Sequence, residues 1–241
     1  MEPKNYYTTT ELAKILGISR VAVFKRIKNG SIKARKVGRN FVIYKADIGE
    51  LEVLLSDIFT SAKGWAITGK EFPDQYYCQY SGIFQARLVK MEGLMLKDNR
   101  AKPLFSLLTS IAGEIGNNSY DHNIGQWPDT PGVFFGYDLG KRQIVLADRG
   151  VGILKTLRRV RPNLKDHHEA LTLAFTEIIS GRKPEARGNG LKYVRSVILN
   201  NPIHLIFQTG NAKLLLKSGD KNLTIQTTKE KIRGCLAFIT Y

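Results

Sequence analysis

Apolar residues recur at helical spacing through Leu104, Leu107, Leu108, Ile111 and Ile115, one stripe of an amphipathic helix. Extending that stripe puts Asn118 and His122 in the next inward slots, with Glu114 on its shoulder. A core helix would keep Leu or Ile there, because burying an unpaired polar group costs roughly 1–3 kcal/mol. Two readings follow: the inward face turns polar to line a pocket, or the helix ends in solvent near Asn117. Around it the pattern predicts a helix over Phe84–Leu96 and a hairpin from Gly132–Tyr137 and Lys141–Ala147, with its turn at Asp138-Leu139-Gly140. Ala170–Ile179 and Leu191–Ile198 read as helices. Ile203–Gln208, Lys213–Lys217, Leu223–Thr227 and Leu236–Thr240 read as strands of a mixed sheet.

The first fifty residues have a tighter period. Thr8 and Glu11 have the spacing of a capping box, and Leu12, Ile15 and Leu16 form a short apolar face stopped by Gly17. A second helix follows over Ser19–Lys28 and ends at Asn29-Gly30, with Val21, Phe24 and Ile27 assigned by spacing to the core. Ile32–Val37 and Asn40–Tyr44, separated by Gly38-Arg39, predict a β-hairpin with a basic tip. Asp47–Leu55 continues as a helix, whereas Ser56–Phe72 has no strong period and reads as a connection. Pro73–Tyr80 is aromatic-rich, which suits packing or a stacking platform for single-stranded nucleic acid.

Charge sharpens this division. The 241 residues carry a formal net charge of +16, and residues 1–50 hold eleven Lys and Arg against four Asp and Glu. The basic excess concentrates in the first fifth of the chain, as expected of a nucleic-acid-binding module joined to a milder domain. Two cysteines, Cys78 and Cys235, give neither a disulfide framework nor a metal-binding spacing, and read as reduced thiols. With no secretory signal and no apolar run long enough to span a bilayer, a cytoplasmic protein without a membrane partner is expected.

Two further segments carry chemistry. Arg142–Ala147 reads as a strand that stops at Asp148, and Gly150 and Gly152 free the backbone for positive φ and close approach to a ligand. A carboxylate held there can accept a hydrogen bond from an exocyclic amine. Gly188 and Gly190 precede the helix beginning at Leu191, and such a turn presents unpaired N–H groups suited to phosphate. Asp166-His167-His168-Glu169 is set aside as a metal site, because adjacent histidines on a helix point in different directions.

Glu114-x-x-x-Asn118-x-x-x-His122, Asp148-x-Gly150-x-Gly152 and Gly188-x-Gly190-Leu191 together resemble the N box and the two glycine boxes of the Bergerat-fold (GHKL, histidine-kinase-like) ATPases. Arg233-Gly234-Cys235 is similar to that family's closing Gly-Thr, with Cys235 at the Thr position, and the second box has Ala186 where a further glycine is usual. The resemblance covers roughly residues 84–241. It implies an ATP·Mg²⁺ site in which Asn118 holds Mg²⁺ and Asp148 the adenine amine. Gly150 and Gly152 would shape the adenine side, and Gly188, Gly190 and Leu191 the phosphate side. Glu114 would be the general base, and Ser180–Arg187 a lid. Residues 6–48 resemble the MerR- and excisionase-type winged helix-turn-helix. That resemblance implies double-stranded DNA as partner, contacted by Ser19, Arg20, Lys25 and Arg26 from the second helix and by Lys36 and Arg39 from the wing.

The expected fold class is therefore α+β. A winged helix-turn-helix domain occupies residues 1–50, a connection 51–83, and a Bergerat-type α/β sandwich with a mixed sheet 84–241. The expected function is a DNA-binding regulator whose state, including homodimerisation, depends on bound ATP and on its hydrolysis. A serine/threonine kinase of the anti-sigma type and a passive adenine-nucleotide-binding module are the alternatives.

Overall fold

The computed structural model describes residues 6–15, 19–28, 32–38, 40–44, 57–69, 74–178 and 189–241. The Gly17 turn, Asn29-Gly30, Arg39, the helix expected over 47–55, the lid at 180–187 and Gly188 lie outside the described residues. The chain divides into two compact units, Met1–Thr60 and Ser61–Tyr241.

In the first unit, strand β1 (Tyr6–Thr8) leads into helix α1 (Thr9–Ile15), followed by helix α2 (Arg20–Lys28) and the hairpin β2 (Arg35–Val37) and β3 (Asn40–Tyr44). The capping box closes as the spacing predicts. Thr8 N–H donates to Glu11 Oε2 at 2.7 Å, and Glu11 N–H donates to Thr8 Oγ1 at 3.2 Å. β1 adds a third, antiparallel strand to the hairpin, in the order β1-β3-β2. The hydrophobic pattern alone left it out, because Tyr6-Tyr7-Thr8 is too short to show alternation. Leu12, Ala13, Val23, Ile32 and Ile43 form the small core.

Helix α3 (Asp57–Thr68) begins before the division and ends in the second unit. A 3-10 turn at Asp74–Tyr76 and strand β4 (Tyr77–Cys78) follow, then helices α4 (Ser81–Met95) and α5 (Phe105–Asn123). The second unit therefore begins well before residue 84: much of the segment expected as a connection over 51–83 is helix or strand. Strands β5 (Val133–Asp138) and β6 (Gln143–Asp148) form the expected hairpin. Helices α6 (Gly152–Leu157), α7 (His167–Thr176) and α8 (Gly190–Leu199) precede the long strands β7 (His204–Leu216) and β8 (Thr224–Thr240).

The fold is α+β, as the sequence predicts, but the sheet is not mixed. Its order is β4-β5-β6-β8-β7, and every neighbouring pair is antiparallel. The reason is connectivity: β5–β6 and β7–β8 are hairpins, and β8 returns to lie between β6 and β7. The four short strands expected after residue 203 are two long ones. Where Thr209-Gly210-Asn211 reads as a break, the register of β7 against β8 merely shifts, with Gly210 at φ +55°.

Alternate strand residues face a layer of helices. Val133 and Phe135, Ile144 and Leu146, Leu205 and Phe207, and Ala237 and Ile239 share a core with Leu108, Ile111 and Ile115 of α5, Leu171 and Phe175 of α7, and Val194 and Ile198 of α8. Helix α5 does not end near Asn117. It continues to Asn123, with Ser119, Tyr120 and Asn123 buried, so the polar residues sit on an enclosed helix face. Gly116 allows α5 to approach α4, since a Cβ there would enter the ring of the fully buried Phe84. Gly116→Ala should cost about 1–3 kcal/mol in chemical denaturation despite alanine's better helix propensity, because Phe84 has no room to yield.

Candidate functional site

Asp148 ends β6 and is 2% exposed. Its Oδ1 accepts the Gly150 N–H at 2.8 Å and its Oδ2 accepts the Ser119 hydroxyl at 2.9 Å. Burial raises its pKa to about 6, against the pull of the bonds from Gly150, Ser119 and the Cys235 N–H. The turn beyond it is held by Asn123, whose side-chain oxygen accepts the Val151 N–H at 2.8 Å and whose amide donates to the Ser119 carbonyl at 2.6 Å. Gly150 is needed for this contact, because a Cβ there would strike the Asn123 amide. It does not have positive φ. Gly152 does, at +75°, with Thr209 Oγ1 3.2 Å from where its Cβ would be. Gly234, at φ +71°, lies so close to Asp148 that a Cβ would meet the carboxylate and the Gly150 nitrogen, at 2.7 Å from the latter.

Of these groups, Ser119, Asn123, Asp148 and Gly152 line a cavity of about 270 Å³. Its apolar walls include Ile115, Ile153, Leu157, Ala174, Leu191 and Phe207. Its polar rim includes Glu114, Asn118, His122 and Lys192, and Gly190 opens α8 onto it. A Cβ on Gly190 would run into the end of the Glu114 side chain and come within 3.3 Å of the Asn118 amide, so the start of α8 lies directly against these two residues of α5. The first N–H groups of a helix lack partners within it, and those of α8 belong to residues that line the cavity.

The structure thus brings Glu114, Asn118, Asp148, Gly152, Gly190 and Leu191 into one cavity from three separate segments. Gly150 supports it from behind, and Gly188 lies outside the described residues. Sequence reasoning missed Ser119, Asn123, Thr209 and Lys192. Ser119 and Asn123 follow the flagged Asn118 and His122 by one residue each, so the helical period signalled them. Thr209 gave no such signal. Its hydroxyl donates to the Gly234 carbonyl at 2.9 Å across the β7–β8 pair, a contact visible only in the fold.

The lining groups differ in their electrostatics. His122 is held below the ordinary imidazole range by burial and by the Arg159 charge. Burial also lowers Lys192, whose ammonium donates to the Glu177 carbonyl. Cys235 lines the cavity with its thiol pushed well above the usual value, first by burial and then by Asp148, so it is a neutral wall group. The cavity therefore combines a buried acceptor, apolar wall residues, the Asn118 amide, the first residues of α8, the Glu114 carboxylate and the Lys192 ammonium. That arrangement suits a flat amine-bearing base joined to an anionic tail.

Asp166-His167-His168-Glu169 is accounted for by capping. Asp166 accepts the Glu169 N–H at 2.8 Å, and Glu169 Oε2 accepts the Lys165 N–H at 2.7 Å. Among the described residues no cluster of three or more His, Cys, Asp or Glu could hold a metal ion, and no helix is long and apolar enough to cross a membrane.

In the first unit, Ser19, Arg20 and Lys25 of the candidate DNA contacts are exposed at or on α2, as is Lys36 on β2. The Arg20 guanidinium lies over the Phe24 ring at 5.5 Å, and Phe24 meets Phe41 edge-on. Arg26 is half-buried, with one guanidinium nitrogen enclosed and lacking a hydrogen-bond partner. Val21 departs from the expected core: it is 64% exposed, whereas Phe24 and Ile27 are partly buried. Lys28, not singled out by the sequence, is exposed at the end of α2.

Residues 6–51 match the helix-turn-helix domain family. The N-terminal unit is a helix-turn-helix domain of the DNA-binding type. The chain is also similar to the magnetosome protein MamR of Magnetospirillum gryphiswaldense, with 38% identity over 48 residues, or 20% of this chain and 57% of that relative. The match thus spans little more than half the length of that relative.

Proposed function

We propose that this protein is a DNA-binding regulator whose second unit binds ATP·Mg²⁺ in the cavity between α5 and α8, in the manner of the Bergerat-fold ATPases. The observation that carries this reading is the convergence of three sequence segments, around Asn118, Asp148 and Gly190, on one cavity with a buried carboxylate in its lining. Asp148 would accept the adenine amine between the walls formed by Ile153, Phe207 and their neighbours. Asn118 would help to hold Mg²⁺, and the α8 N–H groups and Lys192 would take the phosphates. Glu114, facing the start of α8, would be the base that orients water if the nucleotide is hydrolysed. The helix-turn-helix unit would engage duplex DNA with α2 in the major groove and Lys36 on the backbone. Nucleotide state would then alter DNA affinity, directly or through a homodimer.

The test is calorimetry with ATP, with and without Mg²⁺, on the full chain and on Asn118→Ala, followed by DNA binding of each form. Wild-type binding that Mg²⁺ strengthens, and a variant that keeps ATP binding but loses about tenfold of the Mg²⁺-dependent part, is the expected result. No wild-type binding of any adenine nucleotide would remove the ligand half of the proposal. DNA affinity unchanged by nucleotide would remove the coupling between the two halves.

A further inference from the structure

Helix α2 has a buried face and an exposed face, and the residues on the exposed one are not all charged. Val23 is completely buried. At about 100° per residue, the opposite side of the helix is the stripe Val21, Lys25 and Lys28, spaced i, i+4 and i+7. All three are exposed. Arg20 is turned away from this stripe and lies over Phe24, while Arg26 sits on the shoulder of the buried face. The exposed stripe therefore consists of one apolar residue in the first turn and two cations behind it.

Among the described residues, the core of this unit does not include Val21. At 64% exposure it contributes little to the core, and a β-branched side chain is a weaker helix former than the residues usual at a solvated site. In a helix-turn-helix the second helix enters the major groove with its N-terminal residues nearest the base edges. There the only apolar group on any base pair is the thymine C5-methyl, which is read by apolar side chains. Lys25 and Lys28, one and two turns further along the same face, are placed to meet phosphate. We infer that Val21 is a specificity residue that reads a thymine methyl group, with Lys25 and Lys28 as its electrostatic anchors. This rests on the DNA-binding half of the proposed function and is independent of the nucleotide cavity.

The test begins by selecting the preferred duplex of the full-length protein from a randomised library. Affinity for that duplex is then measured with deoxyuridine in place of each thymidine in turn, which removes only the methyl group. The expected result is one thymine per bound unit at which this replacement weakens wild-type binding about three- to tenfold. Val21→Ala should bind the thymine duplex more weakly by the same factor, should be indifferent to the replacement, and should keep the wild-type salt slope, since both lysines remain. Val21→Thr, which keeps one methyl, should be intermediate. If no thymine is sensitive, or if Val21→Ala is as sensitive as wild type, the inference is overturned while DNA binding stands. A wild-type protein that binds duplex DNA but selects no sequence also overturns the inference, and one that binds no duplex overturns the DNA-binding reading itself.

Discussion

Asp148→Asn should lower adenine-nucleotide affinity about ten- to a hundredfold while leaving the second unit as stable at neutral pH as the wild type, or more stable. The two effects have one cause. Asp148 is 2% exposed, and burial raises its pKa from 3.8 to about 6. Keeping that carboxylate ionised in the folded state therefore costs about 3 kcal/mol at neutral pH, as an order of magnitude. Asparagine removes the charge and the cost. Its oxygen can still accept the Gly150 N–H, and its amide can donate to the Ser119 hydroxyl, which reverses that bond. The side-chain amide can no longer present a second acceptor to an amine in the cavity. A residue whose replacement leaves the fold as stable or more stable while weakening binding is one retained for its chemistry.

The same group sets a pH dependence of known sign. A carboxyl whose folded pKa lies above its unfolded value contributes stability that is full below about pH 4. That contribution is lost as pH rises through about 6. Denaturation midpoints of wild type and Asp148→Asn, compared from pH 4.5 to 7.5, should diverge in the variant's favour as pH increases. Asp129 acts in the opposite sense but in a separate window. The hydrogen bonds from Arg149 hold its pKa below the usual value, so its contribution is lost only as pH falls below about 4. Nucleotide binding by the wild type should weaken below pH 6, where the protonated carboxyl becomes a donor. A variant less stable than wild type across the whole range would make Asp148 a structural residue.

Much of this cavity was legible in the sequence because its parts are local patterns. The stripe from Leu104 to Ile115 fixes the rotation of α5, and rotation alone then aims Glu114, Asn118 and His122. Asp148 is found by where a strand stops. What no local pattern reveals is how the segments support one another. Gly150 looks like a flexible ligand loop but is there to admit the Asn123 amide, and Gly190 lies against the Glu114 side chain of α5. Helix α3 was missed because its apolar residues, Ile58, Phe59, Ala62, Trp65 and Ala66, are interrupted by Thr60, Ser61 and Gly64, residues that favour turns. Val21 was misplaced because its spacing to Phe24 and Ile27 assigned it to the core, whereas the buried face is set by Val23.

Arg149→Ala should cost the second unit about 2–4 kcal/mol, the largest stability loss expected of any single substitution here. Nothing in the motif Asp148-x-Gly150-x-Gly152 singles out the x position, yet Arg149 is almost fully buried. Its Nε and Nη2 donate to Asp129, and its Nη1 donates to the Trp65 and Ala66 carbonyls at 2.8 and 2.9 Å. Those carbonyls belong to the last turn of α3, where the Trp65 carbonyl also accepts the Gly69 N–H at 2.8 Å and where the helix dipole favours a cation. One guanidinium thus caps α3, neutralises Asp129 and fixes the backbone next to Asp148. Breaking a buried pair costs about 3–5 kcal/mol. The figure is reduced here because Asp129 is about one-third exposed and keeps Arg233 at 3.4 Å. Arg149→Lys preserves the charge but not the fork that reaches a carboxylate and two carbonyls together, so it should recover less than half of the loss. Urea denaturation of the three proteins at pH 7 measures both quantities. If lysine restores full stability, charge alone matters and the capping of α3 contributes little. If lysine is no better than alanine, the geometry of the guanidinium is what holds the end of α3 beside the residue that follows Asp148.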